Sequence, residues 1–333
     1  MSHYDVADWD ATVDTIKNSQ RIALACHVNP DGDALGSLLG MSLALRSLGK
    51  TTYPTWGSDP VEPPPSLMFM PGVDSLVQVA DIPHDTDLFI ALDCGAAHRL
   101  GCLEGRAGES DPVINIDHHP GNGGFGTLNV VVETASSTSE IVAFLLKDMG
   151  AELDHDIATC LYTGVVTDTG RFQYGNSSPA TLRLAADLLS YGVQAPHIAL
   201  AVFESAPFSY LKLLGRVLDR AALLEEQRFV YSWITRKDLK ETGVGADETD
   251  LLIDAVRTTR DADVAAIFKE QKDGKYRVSL RSKPGPGHRL VSVGEIARAH
   301  GGGGHELAAG YTAEDVESGV QGILKYLVAS SES

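Results

Sequence analysis

Several features that define other protein classes are scarce in this 333-residue chain. Its four cysteines are scattered and form no CxxC pair, which argues against a disulfide scaffold or a thiolate zinc site and favours a reducing cytoplasm. No apolar run approaches the roughly 20 residues of a membrane span. The acidic N-terminus also lacks the basic-then-apolar layout of a signal peptide. We therefore expect a cytoplasmic protein without a membrane partner.

Positive charge is also scarce, with 27 basic against 45 acidic side chains and a net charge of −18. Proteins that hold long duplex nucleic acid through its phosphates are normally basic, so we expect no such partner. The charge is unevenly distributed, because residues 226–333 carry 15 basic and 17 acidic side chains, whereas residues 1–225 carry 12 and 28. Residues 269–289 alone hold seven basic side chains and two acidic ones. This segment is either a solvated basic hairpin or a surface that meets an anion.

The length is typical of two domains. In the first half, short apolar runs alternate with helical patterns, which predicts an α/β fold with a parallel sheet. Predicted strands are residues 21–28, 88–92, 113–116 and 127–132, the last at an edge, and predicted helices include residues 154–166, 179–191 and 207–225. In the second half we expect strands at 229–234, 264–270 and 276–281, a hairpin turn at 271–275, and helices at 248–258 and 291–300. The predicted division is a first domain at 1–205, a helical linker at 206–227 and a smaller α/β domain at 228–333.

Acidic and imidazole side chains recur directly after three predicted strands. HVNPDGD follows the first strand, LDCG the second and DHH the third, and TDTG lies further along the chain. Ligands bind outside the carboxyl ends of the strands in open parallel sheets. A single aspartate there is usually a helix cap or a turn residue. A group of them needs a cation to offset its repulsion, and carboxylates with imidazoles suit Mn²⁺, Mg²⁺, Co²⁺ or Fe²⁺.

These four motifs, in this order, resemble those of the DHH phosphoesterase superfamily, and SLRSK with GGGGHELAAG resembles the accessory DHHA1 domain. The arrangement is most similar to the nanoRNase/pAp-phosphatase (NrnA-like) subfamily, including its actinobacterial cyclic di-AMP and pApA phosphodiesterases. The resemblance covers essentially the whole chain. It implies that residues 1–205 form a DHH catalytic domain and that residues 228–333 form a DHHA1 substrate-binding domain.

The resemblance also implies a site for two divalent ions, with Mn²⁺ preferred, whose ligands are His27, Asp31, Asp33, Asp93, His118 and Asp168. In that arrangement Asp93 bridges the ions and is catalytic, as is His119, which contacts the scissile phosphate. Asp117 orients His118 through its ring N–H. A hydroxide shared by the two ions would attack phosphorus, since paired cations lower the pKa of a bound water. The substrate-binding residues implied are Arg171, Arg281, Gly302, Gly303, Gly304 and His305, with Tyr174 as a further candidate.

The function predicted from this resemblance is hydrolysis of short oligoribonucleotides, of linear or cyclic dinucleotides, and of 3′-phosphoadenosine 5′-phosphate (pAp). A homodimer is expected from the same source. Two alternatives stay open, namely a RecJ-like single-strand exonuclease and a non-catalytic nucleotide-binding regulator of the same fold. Chain length, acidic charge and the lack of an evident additional oligonucleotide-binding barrel disfavour the exonuclease. The regulator is disfavoured because every motif position keeps a side chain able to bind metal.

Overall fold

The computed structural model describes residues 4–283, 290–304 and 306–331. The chain divides into two compact units, Met1–Ser205 and Ala206–Ser333. No single described helix is both long enough and apolar enough to cross a membrane. The consecutive helices Ala195–Phe203 and Phe208–Asp219 reach that length and apolar character only as a pair, with a bend of 61° between them.

The first unit is built on a five-stranded sheet in the order β2-β1-β3-β4-β5, in which every neighbouring pair is parallel. The strands are β1 (Arg21–Cys26), β2 (Thr51–Trp56), β3 (Leu88–Leu92), β4 (Val113–Asp117) and β5 (Leu128–Val131). The helices are α1 (Trp9–Asn18), α2 (Gly32–Ser47), α3 (Glu104–Glu109), α4 (Thr138–Met149), α5 (His155–Asp168), α6 (Pro179–Leu189) and α7 (Ala195–Phe203).

Both faces of this sheet are buried. Along β1, Ile22 and Leu24 belong to one apolar cluster, whereas Ala23 and Ala25 belong to another on the opposite face. Burial on both faces is the environment that continuous apolar strands predict. The predicted α/β fold with a parallel sheet is therefore confirmed. The edge strand β2, with Pro54 in its middle, was not predicted.

The second unit contains a mixed six-stranded sheet in the order β10-β11-β9-β8-β7-β6. Its strands are β6 (Ala222–Leu224), β7 (Phe229–Ile234), β8 (Val264–Glu270), β9 (Tyr276–Ser282), β10 (Gly303–Gly304) and β11 (Ala308–Ala313). Its helices are α8 (Phe208–Asp219), α9 (Arg236–Thr242), α10 (Leu252–Val256), α11 (Val293–Ala299) and α12 (Val316–Ser331). Strands β7 and β8 are parallel and the other neighbours are antiparallel.

The predicted elements of this unit are correct in part. The hairpin at residues 271–275 is confirmed, because β8 and β9 pair as antiparallel neighbours across it. The helix expected over 207–225 ends instead at Asp219, since residues 222–224 form β6 and pair with β7. The helix expected over 248–258 is limited to a 3₁₀ turn and the five-residue α10. The three-part division of the chain remains a prediction.

A buried carboxylate, Asp238, ties α8 to the start of α9. It is 3% exposed, and it accepts hydrogen bonds from Arg220 at 2.5 and 2.8 Å, from Arg216 at 3.2 Å and from the Thr235 hydroxyl and N–H at 2.6 and 2.9 Å. The hydrogen bonds from Arg220 in particular hold the pKa of Asp238 well below its usual range. Asp238 therefore stabilises the second unit only in its ionised form.

We predict that Asp238→Asn destabilises the second unit by about 2–3 kcal/mol at pH 7, because it leaves two arginines without their shared counter-charge. The folded-state pKa lies below the unfolded value of about 3.9, so this stabilisation is complete above pH 4. It is lost as the pH falls through the folded-state pKa. Denaturant unfolding followed by Trp233 fluorescence, at pH 7 and at pH 3, measures the effect.

The matched control is Glu241→Gln, since Glu241 also pairs with Arg216, at 2.7 Å, but its side chain is 44% exposed. An exposed pair contributes about 0.5 kcal/mol or less. Equal losses of stability in the two variants would contradict the role given to Asp238.

Candidate metal centre

The polar residues that follow three strands meet at one edge of the first sheet. His27 follows β1, Asp93 follows β3, and His118 and His119 follow β4. The strand order 2-1-3-4-5 places β1, β3 and β4 side by side, so their carboxyl ends lie together.

The start of α2 contributes two carboxylates with different surroundings. Asp31 caps the helix, because its Oδ1 accepts the N–H groups of Asp33 and Ala34 at 3.0 Å each. Its Oδ2 lies 3.9 Å from Nε2 of His27, and its side chain is 62% exposed. Asp33 is 1% exposed. Asp31 is thus a helix cap and still directs one oxygen toward the cluster.

Asp93 lies at the centre of the cluster and contacts both halves of it. Its Oδ2 is 3.5 Å from Nε2 of His27, and its Oδ1 is 3.7 Å from Nε2 of His118. The ring nitrogen Nδ1 of His27 lies 2.9 Å from the Val28 carbonyl, which directs Nε2 toward the carboxylates. The backbone of Asp93 has φ of 57°, a left-handed conformation that side chains adopt at a cost and that is common at functional sites.

His118 is the centre of a second group of donors. Its Nε2 lies 3.9 Å from Asp33 Oδ2 and 3.5 Å from Asp168 Oδ2. Asp168 reaches this point because it is the last residue of α5, a helix that packs along α2. Close packing of the two helices uses Gly36, where a Cβ would lie 2.6 Å from a backbone oxygen of α5, and Gly164, where it would lie 2.7 Å from Oδ1 of Asp33.

The six predicted ligands therefore fall into two groups that Asp93 connects. In each group the ligand atoms lie within 4.8 Å of one another, and the members are His27, Asp31 and Asp93 in one and Asp33, His118 and Asp168 in the other. A third such group contains Asp93, His118 and His119. This donor set of imidazole and carboxylate atoms, with no thiolate, fits two adjacent divalent ions.

The electrostatics of the cluster also favour a cation. Burial raises the pKa of Asp33 well above its ordinary value, and the charge of Asp93 raises it further. Burial and the charge of Asp33 likewise raise the pKa of Asp168 well above its ordinary value. Burial opposes ionisation of Asp93 as well, yet the hydrogen bond with His27 and the neighbouring imidazoles hold its pKa well below the usual range. Without a cation, the cluster cannot keep all of its carboxylates ionised.

His119 and Asp117 form a pair beside the cluster. The ring Nδ1 of His119 lies 2.7 Å from Oδ1 of Asp117, and Asn122 donates to Oδ2 of Asp117 at 2.7 Å. Burial alone would lower the pKa of His119, but Asp117 and Asp93 raise it to about 9. The expected contact of Asp117 with His118 is thereby corrected, because Asp117 holds His119 and the ring of His118 hydrogen-bonds the Ala135 backbone. The two adjacent histidines therefore have different neighbours, with Nδ1 of His119 on Asp117 and Nε2 of His118 near Asp93 and Asp168.

The N-terminus of α4 donates hydrogen bonds to two carboxylates of the cluster, a contact that the sequence did not predict. The backbone N–H groups of Thr138 and Ser139 donate to Asp33 at 2.7 and 2.9 Å, and the Thr138 hydroxyl donates to Oδ1 of Asp93 at 2.9 Å. A helix N-terminus stabilises a carboxylate through these free N–H groups. Ser137 caps this helix, and its side chain accepts the N–H of Glu140.

The predicted substrate-binding residues are distributed over both units. Arg171 lies in the first unit with φ of 63°, and its guanidinium stacks over the ring of Phe203 at 4.9 Å. Tyr174 lies in the same loop, where its ring packs against Gly170. Arg281 lies on β9 of the second unit, and its Nη1 donates to its neighbour's carbonyl at 3.0 Å.

The glycines at positions 302–304 differ in the space that a side chain would have. A Cβ on Gly302 or on Gly304 would collide with the β11 backbone, whereas one on Gly303 would meet nothing within 4 Å. Glycine is thus required for strand packing at Gly302 and Gly304, and Gly303 is the open position. His305 lies outside the described residues.

Comparison with known proteins places these residues in a family. Residues 21–165 match the DHH family, N-terminal domain, and residues 226–329 match the DHHA1 domain. The chain is 36% identical over 299 residues to the bifunctional oligoribonuclease and PAP phosphatase NrnA of Thermus thermophilus, covering 89% of this chain and 85% of that one. It is 31% identical over 300 residues to the Bacillus subtilis protein of the same name, covering 89% and 90%.

Solved structures show the same fold. An exopolyphosphatase-related protein from Bacteroides fragilis superposes with a TM-score of 0.88 at 24% identity, covering 97% of this chain and 96% of that one. RecJ of Thermus thermophilus, in complex with Mn²⁺, has a TM-score of 0.56 at 13% identity and covers 98% of this chain but 54% of RecJ. At these identities the likeness establishes the arrangement of the backbone.

We predict that Thr138→Val lowers the affinity for Mn²⁺ by about 10- to 100-fold, as loss of a hydrogen bond to a ligating carboxylate commonly does. Thr138→Ser keeps the hydroxyl and should stay within about threefold of the unchanged protein. Isothermal titration of metal-free protein measures both. Thr159→Val is the control, because the Thr159 hydroxyl bonds the His155 carbonyl within its own helix. Equal affinities for the valine and serine variants at position 138 would contradict this role.

A second prediction concerns His119, which stays protonated to about pH 9 in metal-free protein because Asp117 stabilises its cation. Asp117→Asn should bring the pKa of His119 down toward the ordinary value near 6.5. Because the folded-state pKa is the higher one, the pair stabilises the fold fully below pH 6.5 and loses its effect as the pH rises through 9. Titration of the imidazole ring protons by NMR measures the shift, and an unmoved pKa in the variant would refute it.

Proposed function

Because the chain belongs to the DHH family of phosphoesterases and is a hydrolase, we propose that it cleaves short oligoribonucleotides and dinucleotides and dephosphorylates pAp. The linear dinucleotide pApA and cyclic di-AMP are the dinucleotide substrates that we propose. The names of the curated relatives support the oligoribonuclease and pAp phosphatase activities. The observation that carries the proposal is Asp93, whose two oxygens face the two separate groups of metal-binding side chains.

We assign the metal ligands as the resemblance implied. His27 and Asp31 would hold one ion, Asp33, His118 and Asp168 the other, and Asp93 would bridge them. Mn²⁺ is the proposed ion, since a mixed imidazole and carboxylate set suits it better than the all-oxygen preference of Mg²⁺. When bound, the two ions would activate a water and offset charge on the phosphoryl oxygens.

His119 is the proposed catalytic partner of the metal site. With Nδ1 engaged by Asp117, contact with the scissile phosphate is assigned to Nε2. A protonated imidazole in this position donates a hydrogen bond to an oxygen whose negative charge grows in the transition state. The side chain is 31% exposed, so a substrate can reach it from solvent.

Recognition of the nucleotide is assigned to residues of both units. Arg281 offers a planar fork that grips a phosphate through two hydrogen bonds. Gly303 allows close approach of an anion to its backbone N–H. Arg171, held in place by Phe203, Gly302, Gly304 and His305 complete the proposed set. We further propose a homodimer that acts in a reducing cytoplasm, a setting supported by four unpaired cysteines.

The test is hydrolysis by purified protein of pAp, pApA, cyclic di-AMP and adenylate RNAs of two to about twenty nucleotides, with Mn²⁺, with Mg²⁺ and after chelation. We expect metal-dependent turnover that favours the shortest RNAs. Asp93→Ala should lower kcat by about 10³-fold or more, and titration should show fewer bound Mn²⁺ ions.

The control is Asp10→Asn, because Asp10 is exposed on α1 and belongs to none of the three groups of candidate metal ligands described above. Turnover of long RNA at the same rate as short RNA would favour the exonuclease alternative. Nucleotide binding without turnover under any metal would favour the non-catalytic regulator.

A further inference from the structure

The chain makes a tight turn directly after β4, at residues 119–122. The N–H of Asn122 donates to the His119 carbonyl at 3.4 Å, and Gly121 has a positive φ of 79°. Proline at the second position and a glycine of positive φ at the third are the features of a type II turn, and Pro120 and Gly121 supply them. The turn returns the side chain of Asn122 to Asp117, the last residue of β4.

The side-chain amide of Asn122 joins two segments of the site. Its Nδ2 lies 2.7 Å from Oδ2 of Asp117, 2.8 Å from Oδ1 of Asn115 and 3.2 Å from the carbonyl oxygen of Cys94. Its Oδ1 accepts the N–H of Gly124 at 2.9 Å. The amide takes this orientation because a flipped amide would set its oxygen against three acceptors. Asn122 therefore connects the end of β4 with the segment that follows β3.

One oxygen of Asp117 depends on this contact. The side chain of Asp117 is buried, and its Oδ1 lies 2.7 Å from Nδ1 of His119. Within the described part of the chain, Asn122 is the only residue that donates a hydrogen bond to Oδ2. The terminal torsion of an aspartate is broad unless hydrogen bonds restrict it, so a partner on each oxygen fixes the plane of this carboxylate. A fixed plane gives the imidazole of His119 one acceptor position, and the opposite ring atom, Nε2, then points in one direction.

The position of Asp93 is held by contacts other than Asn122. Its Oδ1 accepts the Thr138 hydroxyl at 2.9 Å, its Oδ2 lies 3.5 Å from Nε2 of His27, and its N–H donates to the Ile116 carbonyl at 3.0 Å. These three contacts remain when Asn122 is replaced. Loss of the amide is therefore expected to release the imidazole beside the cluster and to leave Asp93 in place.

We propose that Asn122 is a positioning residue that holds the Asp117–His119 pair in the geometry that phosphoester hydrolysis requires. The inference rests on the proposed function and deepens it, because it assigns a further residue to the same reaction. Asn122 acts through Asp117, which orients the ring of His119 so that Nε2 meets a phosphoryl oxygen. The direction of that hydrogen bond matters most in the transition state, where the charge on the oxygen is largest. Loss of a positioning residue should therefore lower kcat more than it changes KM.

The experiment measures the steady-state kinetics of Asn122→Ala and Asn122→Asp in the full-length protein, with pAp and pApA as substrates and Mn²⁺ as the ion. Asn122→Ala removes the donor, and Asn122→Asp keeps the size of the side chain but turns a carboxylate toward Asp117. For Asn122→Ala we expect kcat to fall about 10- to 100-fold, as loss of an outer hydrogen-bond partner commonly causes. KM, and the Mn²⁺ affinity measured by isothermal titration, should each change less than about threefold. Asn122→Asp should lower kcat at least as far.

A double-mutant cycle with His119→Ala separates this role from general damage to the site. If Asn122 acts through the imidazole, Asn122→Ala should change kcat less than about twofold once residue 119 is alanine. A contribution to structure alone would lower kcat by the same factor in both backgrounds. Equal factors would therefore overturn the inference.

The matched control is Asn129→Ala, which removes another half-buried side-chain amide a few residues along the chain. Asn129 accepts the N–H of Gly126 and donates to the carbonyl of Gly126, both at 2.9 Å, and within the described structure it makes no hydrogen bond to Asp117. Its kcat should stay within about threefold of the unsubstituted protein. An equal loss of kcat in Asn129→Ala and Asn122→Ala would mean that a disturbed loop lowers the rate, and would refute the inference.

Failure of the proposed function would give a different result, namely no turnover of any substrate by the unsubstituted protein. The positioning role is then tested on the hydrogen bond itself, through the Nδ1 proton of His119 in NMR spectra of protein with diamagnetic Mg²⁺. We expect this resonance to shift or to broaden through exchange with water in Asn122→Ala, and to be unchanged in Asn129→Ala. An unchanged resonance in Asn122→Ala would refute the positioning role.

Discussion

Repulsion among carboxylates is the constraint on which the first unit depends. Asp33, Asp93 and Asp168 all face His118, and two of them lie almost entirely out of water. Such a group is unstable as three bare anions, because neither solvent nor a lysine or arginine of the cluster offsets them. The chain supplies partial compensation through the N–H groups at the start of α4 and through three imidazoles. Divalent ions would supply the positive charge that this arrangement lacks, and the rest of the unit holds the side chains in place.

The fold brings these side chains together at the ends of strands and helices, where secondary structure fixes the direction of the backbone. Three strands end side by side at one sheet edge, so His27, Asp93 and the two histidines after β4 need no long loops to meet. The three remaining carboxylates are Asp31 and Asp33 at the start of α2 and Asp168 at the end of α5. These two helices can approach because glycine replaces a side chain at their contact. Rigid elements of this kind hold ligands more accurately than loops do. The same strands and helices thus position both groups of donors.

The sequence was sufficient for those parts of the structure that depend on local pattern. Buried strands such as Leu88–Leu92 are continuous apolar runs, and titratable residues directly after them mark the sheet edge. Thr138 and Asn122 were missed because hydroxyl and amide groups are common in turns and acquire their role only from tertiary contacts. The partner of Asp117 was expected to be His118 and is His119, because adjacent histidines in a chain give no information on which ring rotates toward the carboxylate. The strand β2 was missed because its polar residues and Pro54 lie at a sheet edge, where strands tolerate both.

The uneven charge of the chain has a physical interpretation in terms of the two units. An acidic first unit attracts cations and concentrates them at a site that needs them, yet the same field repels an anionic substrate at long range. Bound ions remove part of that penalty only at the metal centre itself. The second unit is nearly neutral, and its residues 269–289 carry seven basic side chains and two acidic ones, so it is the part of the chain whose charge would attract an anion. For the short, highly charged substrates proposed above, a few positive positions in an otherwise acidic protein would be enough, whereas a long polyanion would gain little beyond them and would meet repulsion along the rest of its length.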